Sequence, residues 1–338
     1  MRILDLHATP NGPFPMVPRR SGSERPLLVI LGPTGVGKTE IAYRSALQFG
    51  GEVIGFDSIQ VYRGMDAGTA KPSREQRERV PHHCIDVADP GVEFSLGDFV
   101  RAAEVAIGEI RRRGFLPILA GGTGLYLQGL LHGILDLPAR MNVFRDRLRR
   151  SADKRGTGYL HLLLRRLDPV SAERIAPADQ HRIMRGLEVR LATGLPWSDH
   201  ISERGSVTDR FPNLKVGLIM DRRELYRALD RRVENFFSEG LLEEVDRLFR
   251  NGCPPGINSL KAIGYREALR HLNGEISLDE AIRRTQKSTR QYAKRQWTWF
   301  KRISGVRWFR VDEGLDWAWE QISAHIENDY CSRTSIPA

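Results

Sequence analysis

The stretch LLVILGPTGVGKT, residues 27–39, decides the fold. A short apolar run that ends at a glycine is typical of a buried strand in a parallel sheet. The residues that follow, GPTGVGKT, fit the pattern G-x-x-x-x-G-K-[ST], in which backbone N–H groups cradle phosphate oxygens. Because the motif joins a predicted strand to a predicted helix, it indicates a phosphate-binding loop; the alternative is a plain glycine-rich turn. The predicted binding residues are Gly32, Pro33, Thr34, Gly35, Val36, Gly37, Lys38 and Thr39.

Similar apolar runs recur along the chain and are separated by helical patterns. VIGFD (53–57), LPILA (116–120) and VGLIM (216–220) are further candidate strands, and 38–49 and 98–113 have helical periodicity. Alternation of this kind favours an α/β fold whose parallel sheet is covered by helices on both faces. We therefore predict a P-loop NTPase-like parallel sheet core with a small all-helical domain inserted into it.

The insertion is predicted where the alternation stops and an arginine-rich, helical pattern takes over. At the N-terminus, five prolines and the lack of a secretory apolar core predict a disordered extension. The predicted organisation is an extension (1–26), the first part of the core (27–138), the insertion (139–205), the completed core with C-terminal helices (206–312) and a C-terminal tail (313–338).

The composition is that of a globular protein, because 41% of the 338 residues are hydrophobic and 28% are charged. At about 150 residues per domain, the length allows roughly two domains. No apolar run reaches the length of a membrane-spanning helix, so none is predicted. Cys84, Cys253 and Cys331 are far apart and form no C-x-x-C pair, which favours a reducing, cytoplasmic location. A monomer is the default expectation.

Positive charge is concentrated in the later part of a chain whose net charge is +10. Residues 139–200 contain 13 Lys and Arg against 7 Asp and Glu, and residues 283–302 contain eight basic residues and no acidic one. Segments of this kind indicate a large polyanion as partner. From charge alone, a solvated basic face on helices is the simpler interpretation.

The phosphate-binding loop is not accompanied by the signs of nucleotide hydrolysis. Hydrolysing enzymes usually carry an acidic residue at the end of a further strand, where it positions metal and water. The strand at 116–120 is followed by GGTG instead, and the only carboxylate that ends a predicted strand is Asp57. Because the carboxyl ends of strands line the ligand crevice of an open α/β sheet, Asp57 is expected near Lys38. It is a candidate base or outer-sphere metal ligand, or alternatively the cap of the next turn.

Several strings of the sequence occur in the order and spacing of one known family. They are GPTGVGKT (32–39), DSIQVYRGMDAGTAKP (57–72), HHCIDVADP (82–90), LAGGTGLYLQGLL (119–131), HRIMRGLEV (181–189), GLLEEV (240–245), AIGYRE (262–267) and TRQYAKRQWTWF (289–300). On these strings the chain resembles the bacterial tRNA dimethylallyltransferases, the IPP transferase family, over roughly residues 27–310.

The resemblance implies transfer of a dimethylallyl group from dimethylallyl diphosphate to N6 of the adenosine 3′ of the anticodon, with Mg²⁺ and without ATP. The P-loop would then hold the diphosphate of the prenyl donor, and Thr39 would be a ligand of Mg²⁺. In the implied roles, Asp57 is the base that takes the proton from N6, while Lys38 and Arg232 stabilise the departing pyrophosphate. Arg231, next to Arg232, leaves that assignment open by one position.

The resemblance also implies contacts with the anticodon stem-loop of a tRNA whose target adenosine has left the base stack. His181, Gly186 and Lys261 depart from the usual family residues, which concerns RNA preference and not the reaction. The implied tRNA-binding residues are Asp57, Ser58, Ile59, Gln60, Thr123, Arg145, His181, Arg182, Ile183, Met184, Arg185, Lys261, Ala262, Ile263, Gly264, Tyr265 and Arg266.

Other interpretations compete with this one. A small-molecule kinase would use the same P-loop but leaves the basic insertion unexplained, and an enzyme that prenylates free adenine nucleotides leaves the tRNA-matching segments unexplained. An RNA-binding protein without catalysis would have no need of the intact Lys38, Thr39, Asp57 and Arg232. The pair His82–His83 could suggest a metal site, but a structural turn is favoured because no third ligand lies at a suitable spacing.

Overall fold

The computed structural model describes residues 26–135, 137–138, 140–202, 208–254, 257 and 259–332, without the side chains of Thr157, Cys331 and Ser332. The predicted N-terminal extension lies outside the described residues except for Pro26. The chain forms two compact units: a helical unit, His132–Thr208, and a sheet unit made of the segments before and after it. Among the described helices, none is long and apolar enough to cross a membrane.

In the described ranges six parallel strands form one sheet, which confirms the predicted α/β class. In spatial order they run β3-β2-β4-β1-β5-β6. The sequence predicts four of them, β1, β2, β4 and β5. The bounds are Leu27–Leu31 (β1), Gly51–Phe56 (β2), His82–His83 (β3), Leu116–Gly121 (β4), Asn213–Ile219 (β5) and Val306–Arg310 (β6).

Nine helices surround the sheet or extend from it within the described part of the sheet unit. The prediction of helices near 38–49 and 98–113 is confirmed by α1 and α3. The bounds are Lys38–Phe49 (α1), Arg74–Arg79 (α2), Leu96–Arg112 (α3), Gly124–His132 (α4), Arg222–Ser238 (α10), Leu241–Arg250 (α11), Tyr265–Leu272 (α12), Leu278–Phe300 (α13) and Leu315–Ser332 (α14).

Both faces of the central strand β1 are buried, as its continuous apolar run predicts. Leu28 and Ile30 belong to a core on one face that includes residues of α1 and α14. Leu27, Val29 and Leu31 belong to a second core on the other face, with residues of α3 and α4. All five side chains are fully buried, and each contributes about 1.5–3 kcal/mol of burial free energy. The phosphate-binding loop therefore begins directly after a strand that is buried on both faces.

The end of the chain completes the core. The segment predicted as a tail contains α14, whose Ala318, Ile322 and Ile326 are fully buried in the same core as Ile30. Their spacing of four residues places them on one face of the helix. The sequence does not predict this helix.

The described residues of the helical unit form five helices, in agreement with the predicted all-helical insertion. They pack around a cluster that includes Leu160, Leu164, Ile183 and Leu187. At its centre Glu188 accepts two hydrogen bonds of 2.6 Å from the guanidinium of Arg145, and both side chains are almost fully buried. The bounds are Asn142–Arg155 (α5), Thr157–Leu167 (α6), Pro169–Arg174 (α7), Gln180–Thr193 (α8) and Trp197–Ser202 (α9).

Glu188→Ala leaves the guanidinium of Arg145 buried without its partner, and we expect the helical unit to lose about 3–5 kcal/mol of stability. Hydrogen exchange measured by mass spectrometry should show amides of α5 and α8 exchanging more than about 100-fold faster, since 1.4 kcal/mol corresponds to a factor of ten. Arg149→Ala is the matched control, because Arg149 forms an exposed ion pair with Asp146 and should contribute less than about 1 kcal/mol. Equal protection in the two variants would contradict a structural role for the pair.

Candidate active site

The phosphate-binding loop connects β1 to α1 and has a tightly constrained backbone. Gly32 has a φ of 150°, and a Cβ built there would lie 2.6 Å from the carbonyl oxygen of Leu218 in β5. Gly37 has a φ of 89°, and its Cβ would lie 2.6 Å from Leu315 Cδ2 at the start of α14. A larger residue at either position would force the loop to move. The glycines thus fix the turn that leads into the N-terminus of α1, a geometry that suits phosphate oxygens.

Lys38 is the first residue of α1, and its ammonium group turns back into the loop. Its Nζ donates a hydrogen bond of 2.7 Å to the carbonyl oxygen of Pro33. Loss of hydration lowers the pKa of Lys38 to about 7; the carboxylate of Asp57 opposes this shift, and the guanidinium of Arg232 adds to it. The structure therefore brings Lys38, Asp57 and Arg232 within electrostatic range of one another.

Of the two adjacent arginines in α10, the structure places Arg232 toward Asp57. The Arg232 side chain is half-buried, and its guanidinium lies 5.2 Å from the centre of the Phe236 ring. Burial lowers the pKa of Arg232 below its usual value, and the charge of Asp57 partly offsets this. Arg231 is exposed to solvent. The geometry thus favours Arg232 as the cation of the site.

Asp57 directly follows β2, and its surroundings fit both a cap of the next turn and a charged group near Lys38. Its Oδ1 accepts hydrogen bonds from the backbone N–H of Ile59 at 2.9 Å and of Gln60 at 3.4 Å, so the carboxylate caps the next turn. The same carboxylate interacts with the charges of Lys38 and Arg232. The cap orients the side chain, and its charge remains available at the carboxyl edge of the sheet.

Thr123, in the loop after β4, ties that loop to the residues after Asp57. Its hydroxyl oxygen accepts a hydrogen bond of 3.0 Å from the backbone N–H of Ser58, and its own N–H donates to the carbonyl oxygen of Phe56 at 3.1 Å. Tyr292 of α13 also interacts with Thr123; burial, followed by the charge of Asp57, raises the pKa of its phenol to about 12. The predicted residues Ser58 and Thr123 are therefore adjacent.

Gln296 is a buried residue of this site that the sequence does not single out. Its side-chain Oε1 accepts a hydrogen bond of 2.8 Å from the backbone N–H of Thr34 in the P-loop. Its Nε2 donates a hydrogen bond of 2.8 Å to the carbonyl oxygen of Gly122. The string TRQYAKRQWTWF contains this glutamine, but its spacing gives no indication that the side chain points inward.

The outer face of α13 carries a second group of residues that the sequence does not assign. A cavity of about 490 Å³ opens there, with a strongly basic lining and the partly exposed ring of Trp299. The concentration of basic residues between 283 and 302 indicates a basic surface in this segment, but it does not show which of these residues share a face of the helix. The lining residues are Gln291, Lys294, Arg295, Thr298, Trp299 and Arg302.

The predicted contact segment 261–266 divides into exposed and buried positions. Lys261 and Arg266 are exposed, whereas Ala262 and Ile263 are half-buried and Gly264 is buried. Tyr265 is fully buried, and its hydroxyl donates a hydrogen bond of 2.5 Å to Glu244. The exposed positions are thus the charged ones, and of these the guanidinium of Arg266 binds the buried carboxylate of Glu267.

The predicted residues of the helical unit divide in the same way. His181 and Arg182 are exposed, while Ile183 and Met184 are buried in the hydrophobic cluster. Arg185 is half-buried and lies 3.5 Å from Glu188. As described above, the guanidinium of Arg145 is occupied by Glu188, so its expected RNA contact would require that pair to open.

Two places in the described residues were candidates for a metal: the histidine pair and Thr39 beside the P-loop. His83 contacts Glu52 at 2.6 Å, and Arg113 also binds that carboxylate, in keeping with a structural role for the histidine pair. Nowhere in the described ranges do three His, Cys, Asp or Glu residues form a group that could hold a metal. Thr39, half-buried in the first turn of α1, supplies a single hydroxyl oxygen beside the P-loop. It fits Mg²⁺ bound largely through substrate oxygens and water.

Family models match nearly the whole described chain. The model described as IPP transferase matches residues 60–303, and the one described as isopentenyl transferase matches residues 26–85. A tRNA dimethylallyltransferase 2 from Geotalea uraniireducens is 46% identical over 289 residues, which are 86% of this chain and 93% of that protein. A tRNA dimethylallyltransferase from Thermomicrobium roseum is 44% identical over 304 residues, 90% of this chain and 91% of that protein.

Solved structures give the same result. The full-length tRNA isopentenylpyrophosphate transferase from Bacillus halodurans superimposes with a TM-score of 0.69 at 37% identity, covering 92% of this chain and 98% of that one. A eukaryotic dimethylallyltransferase acting on tRNA superimposes with a TM-score of 0.77 at 31% identity, covering 91% of this chain and 79% of that one. Since the matched ranges run from β1 to the end of α13 and a relative of 46% identity covers 86% of the chain, the chain belongs to the IPP transferase family.

Proposed function

We propose that the chain transfers a dimethylallyl group from dimethylallyl diphosphate to N6 of the adenosine 3′ of the anticodon in tRNA, releasing pyrophosphate. The observation that carries the proposal is the meeting of the P-loop, Asp57 and Arg232 at one edge of the sheet. The names of the relatives supply the reaction class, because the matched proteins are tRNA dimethylallyltransferases.

The donor end of the site suits a diphosphate leaving group. Backbone N–H groups of the P-loop and the ammonium of Lys38 would bind the diphosphate, and Arg232 would approach it from α10. As the carbon–oxygen bond breaks, negative charge grows on the pyrophosphate, and fixed cations stabilise that charge more than they stabilise the bound donor. Mg²⁺ held beside Thr39 would supply further positive charge on the same oxygens.

The acceptor end requires a base. The lone pair of adenine N6 is delocalised into the ring, so removal of its proton as the carbon–nitrogen bond forms favours the reaction. Asp57 is held by its turn at the edge of the sheet and would take that proton, while the electron pair of the broken carbon–oxygen bond leaves with pyrophosphate. Ser58 and Thr123, joined by a hydrogen bond, flank the position where the base would enter.

The exposed basic residues suit an RNA acceptor. Lys294, Arg295 and Arg302 line the cavity on α13 together with the ring of Trp299, a combination that binds phosphates and stacks on unpaired bases. Lys261 and Arg266 are exposed in the same sheet unit, and His181 and Arg182 are exposed in the helical unit. We propose that these positions, rather than the buried members of the predicted set, make the direct RNA contacts.

The proposal is tested by transfer of radiolabel from dimethylallyl diphosphate to unmodified tRNA, with Mg²⁺ and without ATP. A parallel tRNA carries guanosine in place of the target adenosine. We expect label on the first tRNA alone, because the acceptor nitrogen is absent from guanosine at that position. Label on neither tRNA, together with tight ATP binding, would instead indicate a kinase; RNA binding without label would indicate a non-catalytic RNA-binding protein.

Asp57→Asn separates the two roles of this side chain. The amide retains an oxygen that can cap the turn but cannot serve as the base, so kcat should fall by about 10²–10⁴-fold with tRNA affinity nearly unchanged. Asp57→Ala, which also removes the cap, should lower kcat at least as much. Steady-state kinetics and filter binding measure the two quantities. A parallel loss of affinity and rate in Asp57→Asn would argue against the base.

The adjacent arginines provide a matched pair of variants. Arg232→Ala should lower kcat by about 10²–10³-fold, because it removes a fixed cation from the developing pyrophosphate charge. Arg231→Ala should change kcat by no more than about twofold, the effect usual for an exposed residue. The radiolabel assay at saturating substrates compares them. If Arg231→Ala proves the more harmful change, the assignment to Arg232 is wrong.

A further inference from the structure

Gln296 connects two loops that serve opposite ends of the candidate site. It is 5% exposed, and it belongs to α13, far along the chain from both of its hydrogen-bond partners. Its Oε1 accepts from the N–H of Thr34 in the P-loop, and its Nε2 donates to the carbonyl of Gly122 after β4, each at 2.8 Å. Because the amide oxygen and nitrogen have opposite hydrogen-bonding character, the two bonds together fix the orientation of the side chain.

The fit around Gln296 leaves it little freedom. A Cβ built on Gly122 would lie 2.2 Å from Gln296 Nε2, so the side chain occupies the space that the glycine leaves open. The same Cβ would lie 3.9 Å from Nζ of Lys38, which shows how near the amide is to the phosphate-binding cation. A backbone N–H of the P-loop that lost this partner would be left without its hydrogen bond, at a cost larger than the bond's net value.

Polar contacts continue from Gln296 to the acceptor side. Tyr292, one helical turn earlier on α13, makes polar contacts with Gln296 and with Thr123. Thr123 in turn accepts the hydrogen bond from the N–H of Ser58, next to Asp57. Hydrogen bonds therefore join Gln296 to the P-loop and to Gly122, and Thr123 to Ser58, and the Tyr292 hydroxyl interacts with both Gln296 and Thr123.

We infer that Gln296 is a positioning residue that aligns the P-loop with the acceptor loops and couples the occupancy of the two ends of the site. The inference rests on the proposed function, since it takes the P-loop as the donor site and α13 as part of the RNA-binding surface. Lys294 and Arg295, which directly precede Gln296, are exposed on that surface. RNA bound to the exposed face of α13 would favour the helix position in which Gln296 holds the P-loop, and the diphosphate would bind more tightly as a result.

The experiment compares three substitutions in the full chain. Gln296→Met keeps the length of the side chain and removes both hydrogen bonds. Tyr292→Phe keeps the ring and removes the hydroxyl that contacts Thr123 and Gln296. Gln286→Met is the matched control, because Gln286 lies on the same helix and donates a hydrogen bond of 3.0 Å to Glu234 of α10, away from the P-loop. Thermal unfolding verifies that each variant is folded.

The decisive quantity is the factor by which tRNA changes the Kd of pyrophosphate in the presence of Mg²⁺. We expect tRNA to tighten pyrophosphate binding to the unmodified chain and to the Gln286→Met variant by the same factor. In Gln296→Met this factor should fall toward one, and in Tyr292→Phe it should fall part of the way. At saturating tRNA and donor, kcat of Gln296→Met should drop by about 10–100-fold, the cost of slight misplacement of reacting groups.

The outcomes separate this inference from the proposed function. A coupling factor of one in the unmodified chain, or one that Gln296→Met leaves unchanged, would overturn the coupling role of Gln296 even if prenyl transfer proceeds normally. Absence of label transfer by the unmodified chain would instead overturn the proposed function, whereas the binding measurement would still report on the coupling. A loss of coupling in Gln286→Met equal to that in Gln296→Met would reduce the effect to general weakening of α13.

Discussion

Parallel pairing of β2, β4 and β1 is the constraint on which the candidate site depends. In the register of the sheet, Gly121 is opposite Phe56 on one side and opposite Leu31 on the other. These three residues are the last of their strands, so Asp57, Gly122 and Gly32 leave the sheet side by side. Because neighbouring strands lie about 4.8 Å apart, short loops are enough to bring the Asp57 carboxylate, the glycine turn and the P-loop together.

Apolar packing behind the P-loop connects the shape of the loop to the position of Arg232. A Cβ on Gly35 would lie 2.7 Å from Leu229 Cδ2, so Leu229 of α10 packs directly against the loop. Arg232 follows Leu229 by three residues and lies on the same side of α10. Leu229 is fully buried, and its contact therefore fixes the rotation of the helix that carries the arginine. A change in this core would move the cation and the phosphate-binding loop together.

Patterns of consecutive residues predict much of this arrangement. Contacts between residues that are distant in the sequence are not predictable from such patterns. The strands β1, β2, β4 and β5 are recognisable from apolar runs, whereas β3 has two residues and β6 is an edge strand with exposed arginines. A P-loop is recognisable because its residues are consecutive. The resemblance assigns the cation to Arg232, but with Arg231 adjacent the assignment is open by one position. Packing shows which of the two arginines turns inward, since Arg231 is exposed and Arg232 is half-buried.

Some of the residues predicted to contact RNA are buried and others are exposed, and the sequence does not reveal which are which. Arg145 is assigned to RNA by resemblance, yet its partner Glu188 is 43 positions away and no local pattern announces the pair. Tyr265 is likewise expected at the RNA, and the structure shows its hydroxyl bound to Glu244 in the interior. Glu244 also accepts hydrogen bonds from the backbone N–H groups of Asp66 and Ala67, so the tyrosine belongs to the support of the loop that begins at Asp57.

Burial disfavours the charged forms of the two cations of the candidate site. Desolvation lowers the pKa of both Lys38 and Arg232, and Asp57 is the nearby charge that opposes the shift in each case. A diphosphate entering the P-loop would bring several negative charges and reverse this balance. The attraction would be greatest when the pyrophosphate has separated and its charge is largest, so the two cations would favour bond breaking over donor binding.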